Sequence, residues 1–178
     1  MKRHSKIPKT LREPYDVLFR IQRALAGHVS YLAACETNTV FSEYLLYEPV
    51  LRVLLARGYA VKCEFPFPAL KRRAGRGDHK RIDFEARRRR VHLALEIKWP
   101  RRKVRVLNVK GDHAKLAAFR KEHPLAFSFL CVVGQYKQIK NAVLSQNGFA
   151  EPWDPIFAFF IRTQYGCRIY ELNANSPP

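Results

Sequence analysis

The sequence predicts an α/β domain built on a central mixed sheet flanked by helices, and three observations carry that prediction. Residues 81–86 and 91–98 are two stretches of period-2 alternation separated by four arginines, the pattern of an antiparallel hairpin with a basic tip. Residues 127–134, Phe127 to Gly134, are almost continuously apolar, as a strand buried on both faces is. A helical pattern at 111–122 precedes that run, so the connection is a crossover and the strand lies parallel to its neighbour.

The elements follow in order. Residues 1–13 form a basic arm broken by Pro8, residues 14–172 a single domain, and residues 173–178 a disordered tail. A helix is expected over 14–36, with Pro14 at its first position and Val17, Leu18, Ile21, Leu25 and Val29 on its apolar face. A second helix is expected over 41–57, capped by Ser42 and stopped at Gly58, with Pro49 marking a place where it kinks or restarts near Tyr47. Strand one is placed at 59–65, and Glu64 at its end is read as an exposed edge acid before a group supporting the metal ligands from behind. Asp112 is the expected N-cap of the 111–122 helix. Another helix is expected at 135–145, and strands at 156–162 and 167–172 joined by a turn at Gln164-Tyr165-Gly166.

Charge narrows the function. In 178 residues, Lys and Arg number 33 against 15 Asp and Glu, a net charge of +18, which calls for a polyanionic partner, nucleic acid before an anionic membrane. Residues 71–105 hold 15 of the 33 basic side chains. Lys71, Arg72, Arg73, Arg76 and Lys80 lie in a glycine-containing loop before the hairpin, and Arg101 and Arg102 follow it, so these are the expected phosphate contacts. Lys115, on the helix behind, is a further one. Cys35, Cys63, Cys131 and Cys167 have no zinc-like spacing and are read as reduced, mostly buried thiols of a cytoplasmic protein. No apolar run reaches the length that spans a bilayer.

The hairpin carries the chemistry. Placing Asp83 opposite Glu96 sets Ile82 on Ile97, Phe84 on Leu95 and Ala86 on Leu93, a wholly apolar face, whereas a one-residue slip would oppose apolar to polar residues. Glu96 and Lys98, two apart, then point the same way beside Asp83. Two opposed carboxylates repel, and a divalent cation reverses that sign. Lys98 beside such an ion would orient a water or stabilise a developing negative charge. On the 41–57 helix, the wheel puts Glu43 on the sheet-facing side near Tyr47, Val50 and Leu54, where a buried carboxylate needs a partner such as a shared ion. Glu48 lies on the flank near Arg52 and is the competing third carboxylate. His79, His92 and His113 are left without a role.

Asp83, twelve intervening residues and then Glu96-Ile97-Lys98 resembles the signature of the PD-(D/E)xK nuclease superfamily, with Ile82 where a proline commonly stands. Ser42-Glu43, Leu46-Tyr47, Pro49-Val50, Leu54 and Gly58-Tyr59-Ala60-Val61 are similar to that superfamily's opening helix and first strand. The resemblance implies a restriction-endonuclease-like core, helix, three strands, helix, strand, over roughly 41–133. The N-terminal helix and C-terminal strands are additions to it. It implies a Mg²⁺-dependent nuclease, with Mn²⁺ able to substitute, acting on DNA more readily than RNA. Asp83 and Glu96 would hold the metal, the carbonyl of Ile97 would contribute, Glu43 would be the accessory ligand, and Lys98 would act on the attacking water. Dimers or larger DNA-processing assemblies are common settings for such folds. The alternative reading is a non-catalytic nucleic-acid-binding module on the same fold within such an assembly.

Overall fold

A computed structural model describes residues 12–37, 42–66, 81–100, 106–141, 143–158 and 163–173. The elements in chain order are α1 (Tyr15–Ala34), a 3₁₀ turn (Glu43–Leu46), α2 (Tyr47–Ala56), β1 (Ala60–Pro66), β2 (Arg81–Arg88), β3 (Val91–Lys98), β4 (Val106–Leu107), α3 (Lys110–Glu122), β5 (Phe127–Gln135), α4 (Tyr136–Ile139), β6 (Val143–Leu144), β7 (Phe149–Ala150), β8 (Ile156–Ala158) and β9 (Tyr165–Leu172). The main sheet runs β1-β2-β3-β5-β9-β7, with β8 also paired to β9. Its pairs are antiparallel except β3 with β5, so the sheet is mixed, as the buried run at 127–134 required. β4 and β6 form a separate parallel pair that the sequence did not signal.

Two cores sandwich this sheet. Alternation along β3 sends Leu93, Leu95 and Ile97 to the side of α1 and α2, where they meet Leu18, Ile21, Leu25, Val50 and Leu54. Ala94 goes to the other side with Leu116, Phe119, Leu130 and Val132, under α3. Each fully buried Leu, Ile or Phe of this kind contributes about 1.5–3 kcal/mol relative to exposure.

Elements at the chain's two ends pack on each other. Gln22 of α1, fully buried, donates to the Cys167 carbonyl at 2.9 Å, and Ser30 donates to the Ala158 carbonyl at 3.0 Å. The Tyr15 hydroxyl reaches Glu171 at 3.0 Å. α1 thus covers β8 and β9. Gly166 allows β8 to come this close, because a Cβ there would sit 2.5 Å from the Ile156 carbonyl oxygen.

Several expectations are corrected in detail. The second helix begins as a 3₁₀ turn and becomes α-helical only at Tyr47, which leaves Pro49 in the first turn, where its missing N–H costs nothing. It ends as expected: Gly58, at φ +74°, hands its N–H to Leu55 and the Tyr59 N–H to Leu54, closing a Schellman motif. Asp112 is not the N-cap of α3; Val109 holds that place and Asp112 lies within the first turn. The 135–145 helix is a single turn, Tyr136–Ile139, and Tyr165 and Gly166 belong to β9 rather than to a turn. Cys131 and Cys167 are buried, but Cys35 and Cys63 are exposed. No described helix is long and apolar enough to cross a membrane. The expected phosphate contacts Lys71, Arg72, Arg73, Arg76, Lys80, Arg101 and Arg102 lie outside the described residues, as do most of the basic arm and the tail.

Candidate active site at the open end of the hairpin

The β2–β3 register is the one the apolar pattern selects, from Arg88 opposite Val91 to Phe84 opposite Leu95. Beyond Phe84 the main chains part and side chains take over. Asp83 Oδ2 accepts the Ile97 N–H at 2.7 Å, and the Asp83 N–H faces Glu96 Oε1 at 3.4 Å. On the other flank the β1–β2 ladder runs to Cys63 opposite Phe84 and resumes with Phe65 opposite Ile82, stepping over Glu64 and Asp83. Glu64 there has φ +50°.

This break turns β2 over. Phe84 and Ala86 point to the α1–α2 core, whereas Ile82 joins the core under α3, not the face of Phe84 that strict alternation gives it. Asp83 consequently sits at the crossing and touches groups from both sides. Its Oδ1 lies 2.8 Å from the hydroxyl of Tyr47, whose ring packs 4.6 Å from Phe84. The same hydroxyl is 2.6 Å from Glu64 Oε1. A phenol has one proton to give, so it cannot serve both acids as ionised acceptors at once. Burial, then the bonds to Glu64 and Asp83, push its own ionisation far upward.

From the opposite side α3 supplies two charged groups. The Lys115 ammonium pairs with Glu96 Oε2 and stands 3.9 Å from Asp112 Oδ1. Lys98 Nζ lies 3.0 Å from Asp112 Oδ2. Lys115, expected on the surface as a phosphate contact, is turned inward with only 16% of its side chain exposed. Burial alone would lower its affinity for the proton; Glu96, with Asp83 and Asp112 behind it, outweighs that and raises it.

The two central carboxyls are held uneasily. Burial raises Asp83 above the usual carboxylate range, against the Ile97 N–H, Lys115 and Tyr47, which lower it. Glu96, 1% exposed, is raised much further, by burial first and by Asp83 second, with Lys115 only partly compensating.

Glu43 is exposed, where the wheel had placed it facing the sheet. The reason is local: the wheel assumed an α-helix from residue 41, and 3₁₀ geometry over Glu43–Leu46 rotates the side chain away. Its Oε1 instead accepts the Trp99 N–H at 3.0 Å, one residue beyond Lys98. Glu48 pairs with Arg52, and both are half exposed or more. Among the described residues no three of His, Cys, Asp and Glu converge closely enough to hold a metal ion. Asp83 and Glu96 are brought together, Lys98 is tied to Asp112 of α3, and Glu43 stands at the end of β3 without joining the pair.

Tyr47 and Asp112 are the members that sequence reading missed, and Glu64 is the one for which it preferred the wrong alternative. Glu64 is not the free edge acid expected; it lies level with Asp83 across β1 and β2. The register that puts it there is hidden by the connection at 67–80, but the β1 alternation offered the signal. Next along β2, Glu85 is also buried, yet it is bonded to Arg87 at 2.6 Å and to His92 at 2.9 Å. Burial raises its pKa, but those two partners outweigh it and the net shift is downward. Arg88 is likewise engaged, with Glu13 at 2.9 Å, so half of the tetra-arginine run serves the fold.

No protein-family model, no curated protein and no solved structure matches the chain.

Proposed function

We propose that the protein is a metal-dependent nuclease that hydrolyses phosphodiester bonds of nucleic acid, DNA before RNA, on a restriction-endonuclease-like core. The observation that carries the reading is the convergence of Asp83 and Glu96 where the hairpin ladder opens, with Lys98 two residues beyond Glu96 on the same side. The element order α2, β1, β2, β3, α3, β5 supports it, as does the net charge of +18.

The donors are of the type that Mg²⁺ or Mn²⁺ takes, but among the described residues no three of them converge, so water and substrate phosphate would have to complete the ion's shell. Among the described residues, the carboxyls of Glu64, Asp83, Glu96 and Asp112 outnumber the two ammonium groups, Lys98 and Lys115, that pair with members of this set. All of these ligands are hard oxygens. Asp83 and Glu96 would hold the ion, with the Ile97 carbonyl as a further neighbour, while Glu43 would act from outside through the Trp99 N–H. Such an ion would supply Lewis-acid polarisation of a phosphoryl oxygen.

The chain's own groups do the rest. The Ile97 N–H and the Tyr47 hydroxyl fix the Asp83 carboxylate from two directions. Asp112 steadies the Lys98 ammonium, whose role in this reading is to orient the attacking water and offset charge building on the phosphate oxygens. Basic side chains before and after the hairpin track the backbone, so affinity falls steeply with salt.

The test is incubation with supercoiled plasmid and with single-stranded DNA and RNA, in Mg²⁺, Mn²⁺ or EDTA. Wild type is compared with Asp83→Ala and Lys98→Ala. Metal-dependent cutting that drops by ~10²-fold or more in each variant, with nucleic-acid binding retained, is the expected result. Cutting that survives either substitution removes this site. Tight binding without cutting, in either metal, transfers the assignment to a binding module on the same fold.

A further inference from the structure

We infer that the tip of the β2–β3 hairpin carries a phosphate-binding pocket, lined by Arg88, Arg89 and Arg90, that grips the nucleic-acid backbone at a distance from the carboxylate pair. The inference rests on the nucleic-acid reading above and does not depend on a metal.

The turn supplies the first observation. Arg88 pairs with Val91, so Arg89 and Arg90 alone connect the strands. Arg89 has φ +50°. Two-residue hairpin turns favour Gly, Asn or Asp where φ is positive, because a Cβ is crowded there. Two adjacent guanidinium groups also repel each other. Arginine at both positions thus runs against the local rules of the turn, and such departures mark functional places. An anion bound between the two side chains reverses the repulsion.

The second observation is the shape and charge of the place. An open cavity of about 350 Å³ lies at the tip, lined by Glu13, Arg88, Arg89, Arg90 and Val91. Glu13, the acid among them, is already engaged. Its Oε1 accepts from Arg88 at 2.9 Å and from Arg57 at 3.4 Å, and its Oε2 accepts the Tyr59 hydroxyl at 2.7 Å. The carboxylate therefore fixes Arg88 in position and has no oxygen left for Arg89 or Arg90. Both of these are exposed, and among the described residues neither is in an ion pair. Guanidinium forks match the oxygens of a phosphate in paired hydrogen bonds.

The third observation is position. α2 joins the pocket to the candidate active site. Tyr47 at its start bonds to Asp83, and Arg57 just past its end bonds to Glu13. Its ten residues span about 15 Å. Along β2, the stretch from Asp83 to the turn at Arg89 measures about 20 Å. A duplex strand advances about 3.4 Å per nucleotide, so a strand lying on the carboxylate pair reaches the tip within roughly four to six nucleotides. One short segment of backbone can occupy both places.

The experiment measures binding without turnover. Full-length protein in EDTA is titrated into a fluorescently labelled duplex, long enough to span both places, at several salt concentrations. Wild type is compared with the double variant Arg89→Gly/Arg90→Gln, in which Gly suits the positive φ and thermal melting checks the fold. A second double variant, Arg23→Gln/Lys137→Gln, removes the same charge from two other exposed positions. The tip variant should bind about 10-fold more weakly or worse. Its plot of log affinity against log salt should be shallower by about 1–2. The charge-matched variant should keep wild-type affinity and slope. An unchanged affinity and slope in the tip variant overturns the pocket while leaving the nucleic-acid reading intact. An equal loss in the charge-matched variant also overturns it, since the effect is then one of overall charge. Wild type that binds no nucleic acid overturns both the pocket and the reading beneath it.

Discussion

Replacing Asp83 by Asn is expected to stabilise the metal-free protein while abolishing cleavage, because the wild-type carboxylate sits among acids. The Tyr47 hydroxyl has one proton for two acceptors, Glu64 Oε1 at 2.6 Å and Asp83 Oδ1 at 2.8 Å. An amide NH₂ at position 83 supplies the missing donor: it donates to Tyr47, and Tyr47 donates to Glu64. Converting an unmade buried contact into a bond is worth about 1–3 kcal/mol, and weakening the bond from the Ile97 N–H to a neutral amide oxygen returns roughly 1 kcal/mol. Relief of Glu96 from a like charge adds in the stabilising direction. A net gain of ~1 kcal/mol raises Tm by ~2–4 °C in a chain of this size. The pH sign follows from the raised carboxyls. Asp83 and Glu96 have folded-state pKa values above their unfolded ones, so wild type is unpenalised below the unfolded value and loses stability as pH rises through the folded values. Asp83→Asn should therefore melt above wild type at pH 8 in EDTA, and the gap should close toward pH 4. Thermal melts followed by circular dichroism, with plasmid cleavage run in parallel, read both effects. A variant that melts lower than wild type at pH 8, or a gap that widens in acid, refutes the account of a charge-strained pair.

Two further outcomes are expected. Glu85→Gln should lower stability by about 1 kcal/mol at pH 7, below the usual range for a charged hydrogen bond because the Arg87 side chain is 57% exposed and screened. Its downward-shifted pKa means that this stability is present above the unfolded value and is lost as pH falls through the folded one, so the Tm difference should shrink in acid; a pH-independent difference would contradict the ion pairing. Glu43→Ala should reduce turnover by ~10-fold, as loss of a group that orients a site from outside does, while Glu48→Ala leaves it unchanged. The reverse ranking in steady-state cleavage would give the accessory role to Glu48.

The hairpin was legible because its information is local. Phe84, Ala86, Leu93 and Leu95 alternate strictly, so the register and the meeting of Asp83 with Glu96 could be read from spacing alone. The parallel β5 was legible for a similar reason, its run being apolar on both faces. What stayed hidden depends on departures from ideal geometry or on long-range pairing. The wheel failed at Glu43 because a 3₁₀ turn has a different period. Alternation failed at Ile82 because the ladder breaks at the site itself. Tyr47, Asp112 and Lys115 come from helices on opposite faces of the sheet, and no pattern within a helix announces which polar group will meet a strand as far as 36 residues away. Local rules were thus most misleading around the carboxylate pair, where the backbone gives up regular pairing so that side chains can take its place.

That exchange has a practical consequence at Ile97. In an ordinary ladder its amide would bond to a neighbouring main-chain carbonyl and would be insensitive to whatever occupies the site. Here its acceptor is Asp83 Oδ2. The ¹⁵N–¹H resonance of a single residue is consequently wired to the state of one carboxylate. It should shift on protonation, on loading with a diamagnetic ion such as Mg²⁺, and on Asp83→Asn, and it should broaden with paramagnetic Mn²⁺. It is a spectroscopic gauge inside the protein that reads occupancy without any substrate being turned over.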